Sequence, residues 1–236
     1  MQSQEKYVFE YAGRQLIVSS EVMDSATTEI LAVPVSRLLT AERAFTQQIY
    51  AAAGDELPRQ ISQLCREYKE FDIGMAVYTD AGQLPYVALI HAIEQPLQET
   101  PESKLIELTY TNSLLLCEFN HWRSITFSRL YPGDDDICAN SPARAIIRFW
   151  DARLNTSLEK AVLSVPTEEF DKYVSVIEAI NLGPLVSGTE KIDNSQSIEI
   201  QNQTEVDIHE VALSEKDLMA LKDDEEISEW FTSQQK

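Results

Sequence analysis

At 236 residues, with 44% hydrophobic and 8% aromatic residues, the chain has the composition of a folded protein with one core of ordinary size, plus room for a tail or a second small domain. Its formal net charge of −20 repels phosphate backbones and anionic lipid at long range, which argues against general nucleic-acid binding and against docking on acidic membranes. A single nucleotide in a pocket is not excluded, because main-chain amides hold phosphate locally whatever the overall charge.

Taken in chain order, Tyr7-Val8-Phe9-Glu10-Tyr11 and Gln15-Leu16-Ile17-Val18 flank Ala12-Gly13-Arg14 and predict an opening hairpin. Glu29-Ile30-Leu31-Ala32-Val33, ending at Pro34, has the unbroken apolar character of a strand buried on both faces. Residues 40–53 predict a helix with Phe45, Ile49 and Ala52 on one face and Gly54 as its stop; 57–68 predict a second, with Ile61, Leu64 and Cys65 at helical spacing. Two strands, 73–78 and 86–93, flank an Asp80-Ala81-Gly82-Gln83 turn. A helix then runs from Pro101 to about Phe119 with Leu105, Leu108, Ser113 and Leu116 inward, followed by the short buried strand Ser124-Ile125-Thr126-Phe127. A loop through Pro132-Gly133-Asp134-Asp135-Asp136 leads to a helix over 141–153 with Pro142 in its first turn. Strand 161–165 and helix 167–180, with Phe170, Tyr173, Val174 and Ile177 on one face, complete the series. Such alternation implies an α/β fold, a mainly parallel sheet covered on both faces.

Beyond Gly183-Pro184 the composition turns to Ser, Asn, Gln, Thr and Glu without aromatic residues. The organisation expected is a domain over 1–185, a disordered linker over 186–212 and an acidic tail over 213–236, where Ser214 caps a short amphipathic helix. No run approaches the ~20 apolar residues of a membrane helix. The polar start Met1-Gln2-Ser3-Gln4 has no apolar targeting core, so no membrane partner and a cytoplasmic location are expected. Cys65, Cys117 and Cys138 read as reduced thiols, and His91, His121 and His209 are too scattered for a ligand set, so neither a metal site nor a cofactor is expected. His91 lies in an apolar strand, where a packed core histidine is the simpler expectation than a base.

Several motifs in this order resemble the macrodomain family, the ADP-ribose-binding α/β/α modules. Tyr110-Thr111-Asn112-Ser113-Leu114, followed by Ser124-Ile125-Thr126-Phe127, is similar to the family's Tyr-x-Asn-Ser-Leu helix and Ser-Ile-Ala-Phe-Pro strand. Gly74-Met75-Ala76, Leu84-Pro85 and Ile90-His91 match its Gly-Glu-Ala, Leu-Pro and Ile-His positions, and Ile49-Tyr50-Ala51-Ala52-Ala53-Gly54 its Ile-His-x-Ala-Ala-Gly helix end. The likeness covers roughly residues 5–180 and implies a three-layer α/β/α, mixed but mainly parallel sheet, here with an acidic C-terminal tail.

Departures from the family fall on the ligand loops. Its Asn-Ala-Ala-Asn motif aligns with Val33-Pro34-Val35-Ser36, and its glycine run with Ala41-Glu42-Arg43-Ala44. Side chains there obstruct the close main-chain approach to phosphate that glycine allows. In the hydrolytic branch, the second Asn and an acidic residue before Ile49 help to activate water; Ser36 and Thr46-Gln47 stand nearby instead. The second loop keeps Gly133 after Leu130-Tyr131-Pro132, but Asp134, Asp135 and Asp136 follow it, read as a solvated acidic loop in preference to a metal bridge. The adenine-selecting acid of the family falls on Glu21, before Val22, if one residue is inserted.

The resemblance makes Glu21, Val22, Val33, Ser36, Phe127, Leu130, Gly133 and Asp134 candidate ligand-binding positions, with no catalytic residue assigned. Phe127 is placed where it could stack on a ribose or base, with burial in the sheet the simpler expectation. Arg43, Arg129, Arg144 and Arg148 are placed where they could gather near the loops and hold phosphate, or form surface ion pairs. The function expected is a noncatalytic binding module for ADP-ribose or a related nucleotide. The alternative is an adaptor with a degenerate pocket, whose acidic tail docks on a protein partner through Leu218, Leu221, Trp230 and Phe231.

Overall fold

The computed structural model describes residues 5–20, 28–96, 99–100, 102–131 and 136–186, with backbone alone over 181–186. The chain divides into two units, Met1–Val186 and Ser187–Lys236, and the described residues all belong to the first. The predicted linker and the tail residues Leu218, Leu221, Trp230 and Phe231 therefore lie outside them.

Seven strands form one sheet: β1 (Lys6–Tyr11), β2 (Arg14–Ser19), β3 (Ile30–Val35), β4 (Ala76–Asp80), β5 (Ala88–Ile93), β6 (Ser124–Phe127) and β7 (Lys160–Ser164), in the order β1-β2-β7-β6-β3-β5-β4. The five inner strands run parallel, while β1 and β4 pair antiparallel at the two edges. The helices are α1 (Ala44–Ala53), α2 (Glu56–Glu67), α3 (Ser103–Phe119), α4 (Asp136–Ala152) and α5 (Thr167–Val186).

Every residue of β3, β5 and β6 is buried, the pattern of parallel strands covered on both faces. Alternate side chains serve two cores. Ile30, Ala32, Ile90, Ile125 and Phe127 pack with residues of α3, α4 and α5 such as Leu114, Ile146 and Ile177. Leu31, Val33, Val35, Leu89 and Ile93 pack with Ile49 and Ala53 of α1 and Leu57 and Leu64 of α2. Each large aliphatic so buried contributes roughly 1.5–3 kcal/mol. The result is the three-layer α/β/α arrangement that the alternation of elements predicts.

Five local expectations are corrected. Pro34 does not end β3 but lies within it. Pairing of β3 with β6 stops at Ala32, so on that side Pro34 faces no strand that needs its missing N–H, and its carbonyl accepts Thr46 Oγ1 at 3.1 Å. The helix expected from 40 starts only at Ala44, with residues 36–43 forming a closed loop, and its buried stripe is Thr46, Ile49 and Ala53 rather than Phe45, Ile49 and Ala52. In α3 the fully buried stripe is Ile106, Thr109, Tyr110, Ser113, Leu114 and Cys117, with Leu105, Leu108 and Leu116 at its margins. The helix expected over 141–153 starts at Asp136, so Pro142 is interior. The carbonyl that Pro142 leaves without an amide is that of Cys138, four residues back, and the Tyr173 hydroxyl donates to it at 3.0 Å. The last helix also runs on through Gly183 and Pro184 to Val186.

Gly82, in the turn between β4 and β5, has φ +62°, and a Cβ there would stand 2.1 Å from the Ala53 carbonyl oxygen. That carbonyl accepts the Gln83 amide at 3.0 Å, so the turn also closes the end of α1. Gly82→Ala is expected to destabilise the fold by about 1–3 kcal/mol or more, read as a lower urea midpoint. Gly13→Ala, where nothing lies within 4 Å of the added carbon, is expected to cost clearly less.

Candidate functional site

At the C-terminal ends of the parallel strands the chain leaves β3 toward one side of the sheet and later crosses back to β6 on the other, the point at which open α/β sheets form a crevice. The segment after β3 is built by its own side chains. Ser36 Oγ accepts the amides of Leu38 at 3.3 Å and Thr40 at 3.2 Å and contacts Thr40 Oγ1, while the Ser36 amide donates to the Thr40 carbonyl at 3.1 Å. Leu39, buried, is held at φ +56°, a conformation unusual for a residue with a side chain.

A buried chain of hydrogen bonds holds that conformation. The Tyr50 hydroxyl donates to the Leu39 carbonyl at 3.3 Å and lies 2.7 Å from His91 Nδ1, and His91 Nε2 lies 2.9 Å from Thr79 Oγ1. With Tyr50 donating to Leu39, His91 carries its proton on Nδ1 and accepts from Thr79 at Nε2, so every polar hydrogen is used. Complete burial pushes the His91 pKa down to about 3, and the ring is neutral. His91 is thus a core histidine that anchors the loop.

Arg43, the residue just ahead of α1, spans the crevice. Its Nη1 donates to the Arg129 carbonyl at 2.7 Å and its Nη2 to the Leu130 carbonyl, both in the segment after β6. Nη2 also pairs with Glu94 Oε2, in the segment after β5. The two side chains are 15% and 7% exposed, so the pair is largely removed from water. Arg129 in turn pairs with Glu169 of α5. The Nε groups of Arg43 and Arg129 are buried and have no hydrogen-bond partner among the described residues. Burial pushes the Glu94 carboxyl up to about 8, against the downward pull of Arg43 and with a smaller upward push from Glu42.

A protein-family model described as Macro domain matches residues 34–137, which span both loop segments. Solved structures of this fold include the macrodomain of Oceanobacillus iheyensis with ADP, at a TM-score of 0.68 and 19% identity, covering 77% of this chain and 100% of that one. A macrodomain of Trypanosoma brucei in complex with ADP-ribose aligns at a TM-score of 0.52 and 18% identity, over 65% of this chain and 63% of that one. The fold is that of the macrodomains. Among curated proteins, the O-acetyl-ADP-ribose deacetylases of Salmonella newport and Escherichia fergusonii are 38% and 37% identical over 87 residues, 36% of this chain and 49% of theirs. The chain spans about half the length of the curated relatives it matches.

Within this macrodomain-like fold the candidate ligand positions are scattered among different environments. Val33, Phe127 and Leu130 are fully buried, so their side chains serve the core. Phe127 packs on Tyr110 with ring centroids 4.6 Å apart and is fully buried, in line with the simpler of its two readings and not with stacking on a ligand. Leu130 meets the crevice only through its carbonyl, and Ser36 is committed to its own loop. Glu21, Val22, Gly133 and Asp134 lie outside the described residues. Of the four arginines, Arg43 and Arg129 come together, whereas Arg144 is exposed on α4 and Arg148 pairs with Glu107 of α3 at 2.7 Å. Cys117 and Cys138 are buried, and burial raises the Cys117 pKa. Among the described residues no group of His, Cys, Asp and Glu could hold a metal ion.

Glu94 and Glu169 are absent from the sequence-based candidates. The signal for Glu94 was present: a carboxylate directly after the apolar run of β5 stands at the carboxyl end of a parallel strand, where ligands of such sheets bind. Glu169 carried no comparable signal, since its place beside Arg129 depends on the docking of α5.

A carboxyl whose pKa is higher folded than unfolded stabilises the fold fully below the ordinary carboxylate range, and that contribution is lost as pH rises through the folded value. Stability is therefore expected to fall as pH is raised toward about 8, and Glu94→Gln to flatten this component, read as the difference between the two melting temperatures across pH. Parallel profiles for the two proteins would exclude Glu94 as its source.

Proposed function

We propose that this macrodomain binds ADP-ribose or a related nucleotide through a rewritten crevice and does not hydrolyse it. The observation that carries this reading is the pair of largely buried arginines, Arg43 and Arg129, whose Nε donors have no partner among the described residues at the C-terminal ends of the sheet. The N-terminus of α1 adds to it: no side chain caps it and its first turn holds no acidic residue, so the positive end of the helix is uncompensated there. Together these supply charge and donors for a diphosphate where glycine amides supply them in the macrodomains that this sequence resembles.

Noncatalytic binding is favoured because the groups that would have to activate water are already engaged. The Ser36 hydroxyl closes its own loop, the buried Thr46 hydroxyl donates to the Pro34 carbonyl, and Gln47 donates to the Ala41 carbonyl at 3.0 Å. A general base needs a free acceptor within reach of the attacking water. The deacetylase activity named for the curated relatives would need such a group from elsewhere in the chain.

Calorimetric titration with ADP-ribose is expected to show binding, and Arg43→Ala to weaken it by about tenfold or more, the ordinary loss for a hydrogen bond to a charged group. O-acetyl-ADP-ribose is expected to pass through the protein unchanged. No heat from the unaltered chain at millimolar nucleotide would overturn the binding reading, and multiple turnover would overturn the noncatalytic one.

A further inference from the structure

Arg43 has two demands on it. A guanidinium carries five N–H donors, and those of Arg43 reach three acceptors on two segments that follow other strands: the Arg129 and Leu130 carbonyls and the Glu94 carboxyl. The same side chain stands at the entrance to α1, where a diphosphate would sit under the binding reading above, on which this inference rests. A phosphate that engages Arg43 must share its guanidinium with Glu94, and two adjacent anions in a site removed from water cannot both stay ionised cheaply.

We propose that Glu94 is the latch of the nucleotide site: a ligand phosphate displaces the Glu94 carboxylate from Arg43, and the released carboxylate takes up a proton from solvent, so that binding is coupled to proton uptake. Charge balance supports this. With all four groups ionised, Arg43 and Arg129 are offset by Glu94 and Glu169, and protonating Glu94 leaves one positive charge uncovered to meet the ligand. The Arg43 Nε–H, buried without a partner among the described residues, is a donor left for the incoming oxygen.

Among the described residues, the groups facing this pair are few. Arg43 and Glu42 approach Glu94 from the turn before α1, and Tyr131 from the segment after β6; Arg129 and Tyr110 stand behind Arg43. Burial holds both tyrosines above the range tested, Tyr131 at about 12. Glu42 is exposed. Burial keeps the Glu94 carboxyl up near 8, within reach of an ordinary pH series.

The test is calorimetric titration of the full chain with ADP-ribose from about pH 6 to about pH 9, in paired buffers of different ionisation enthalpy. The unaltered chain is expected to take up a proton fraction that rises toward about one above pH 8, with affinity falling by up to about tenfold per pH unit there. Glu94→Gln is expected to bind with no uptake and a flat pH profile, and more tightly than the unaltered chain at the alkaline end. Binding by the unaltered chain without proton uptake, at constant affinity, overturns the latch and leaves nucleotide binding standing. Absence of binding by both proteins at every pH overturns the binding reading and the latch with it. Proton uptake is measured on the unaltered chain, so the outcome does not depend on the variant folding.

Discussion

Burial of the inner strands on both faces governs where chemistry can occur in this molecule. Along β3, β5 and β6 there is no exposed position, and the one ionisable residue among them, His91, is held neutral between Tyr50 and Thr79. Polar work is therefore displaced to the strand ends, where main-chain groups lose their sheet partners and must find others. At the C-terminal ends those partners come from distant side chains. Thr46 serves the Pro34 carbonyl, Ser128 serves that of Ala32 through its amide at 3.0 Å and its hydroxyl at 2.9 Å, and Arg43 serves those of Arg129 and Leu130. The crevice follows from the way the sheet stops.

The strands were legible in the sequence because a parallel strand buried on both faces must be apolar throughout, and runs such as Ile30 to Val33 have no other economical use. The start of α5 at Thr167 was legible too, but those of α1 and α4 were not, and the reason is physical. Arg43 stands at the N-cap of α1 without a capping side-chain bond, so the local signal is missing. At α4 the sequence misled, because Pro142 suits a first turn and is in fact interior. Its cost is offset by the Tyr173 hydroxyl on the Cys138 carbonyl, a contact between residues 35 apart that no local pattern encodes.

The same division holds for the site. That the loops had lost their glycines could be read directly, and Asn112 shows why the neighbouring motif survived: its Nδ2 donates to the Gly74 carbonyl at 2.9 Å, fastening α3 to the segment before β4. Such a residue is kept by the scaffold, whatever happens to the ligand. The reach of Arg43 across to the segment after β6 could not be read, because it joins residues 86 and 87 positions apart and depends on all three layers being in place.

Replacing a glycine cradle by an arginine has a consequence that links the remaining acidic groups to the fold. Main-chain amides present partial charges that need no counterion when the site is empty, whereas a buried guanidinium does. Arg43 and Arg129 could enter a water-poor crevice only alongside carboxylates, and Glu94 and Glu169 occupy those places at 7% and 9% side-chain exposure. A site of this type is neutral only while both carboxylates are ionised, and it becomes attractive to an anion when one of them gives way or takes up a proton. In a chain whose formal charge is −20, long-range attraction of anions is absent, so under the proposed reading a nucleotide would be drawn only by the guanidinium groups it meets at close range.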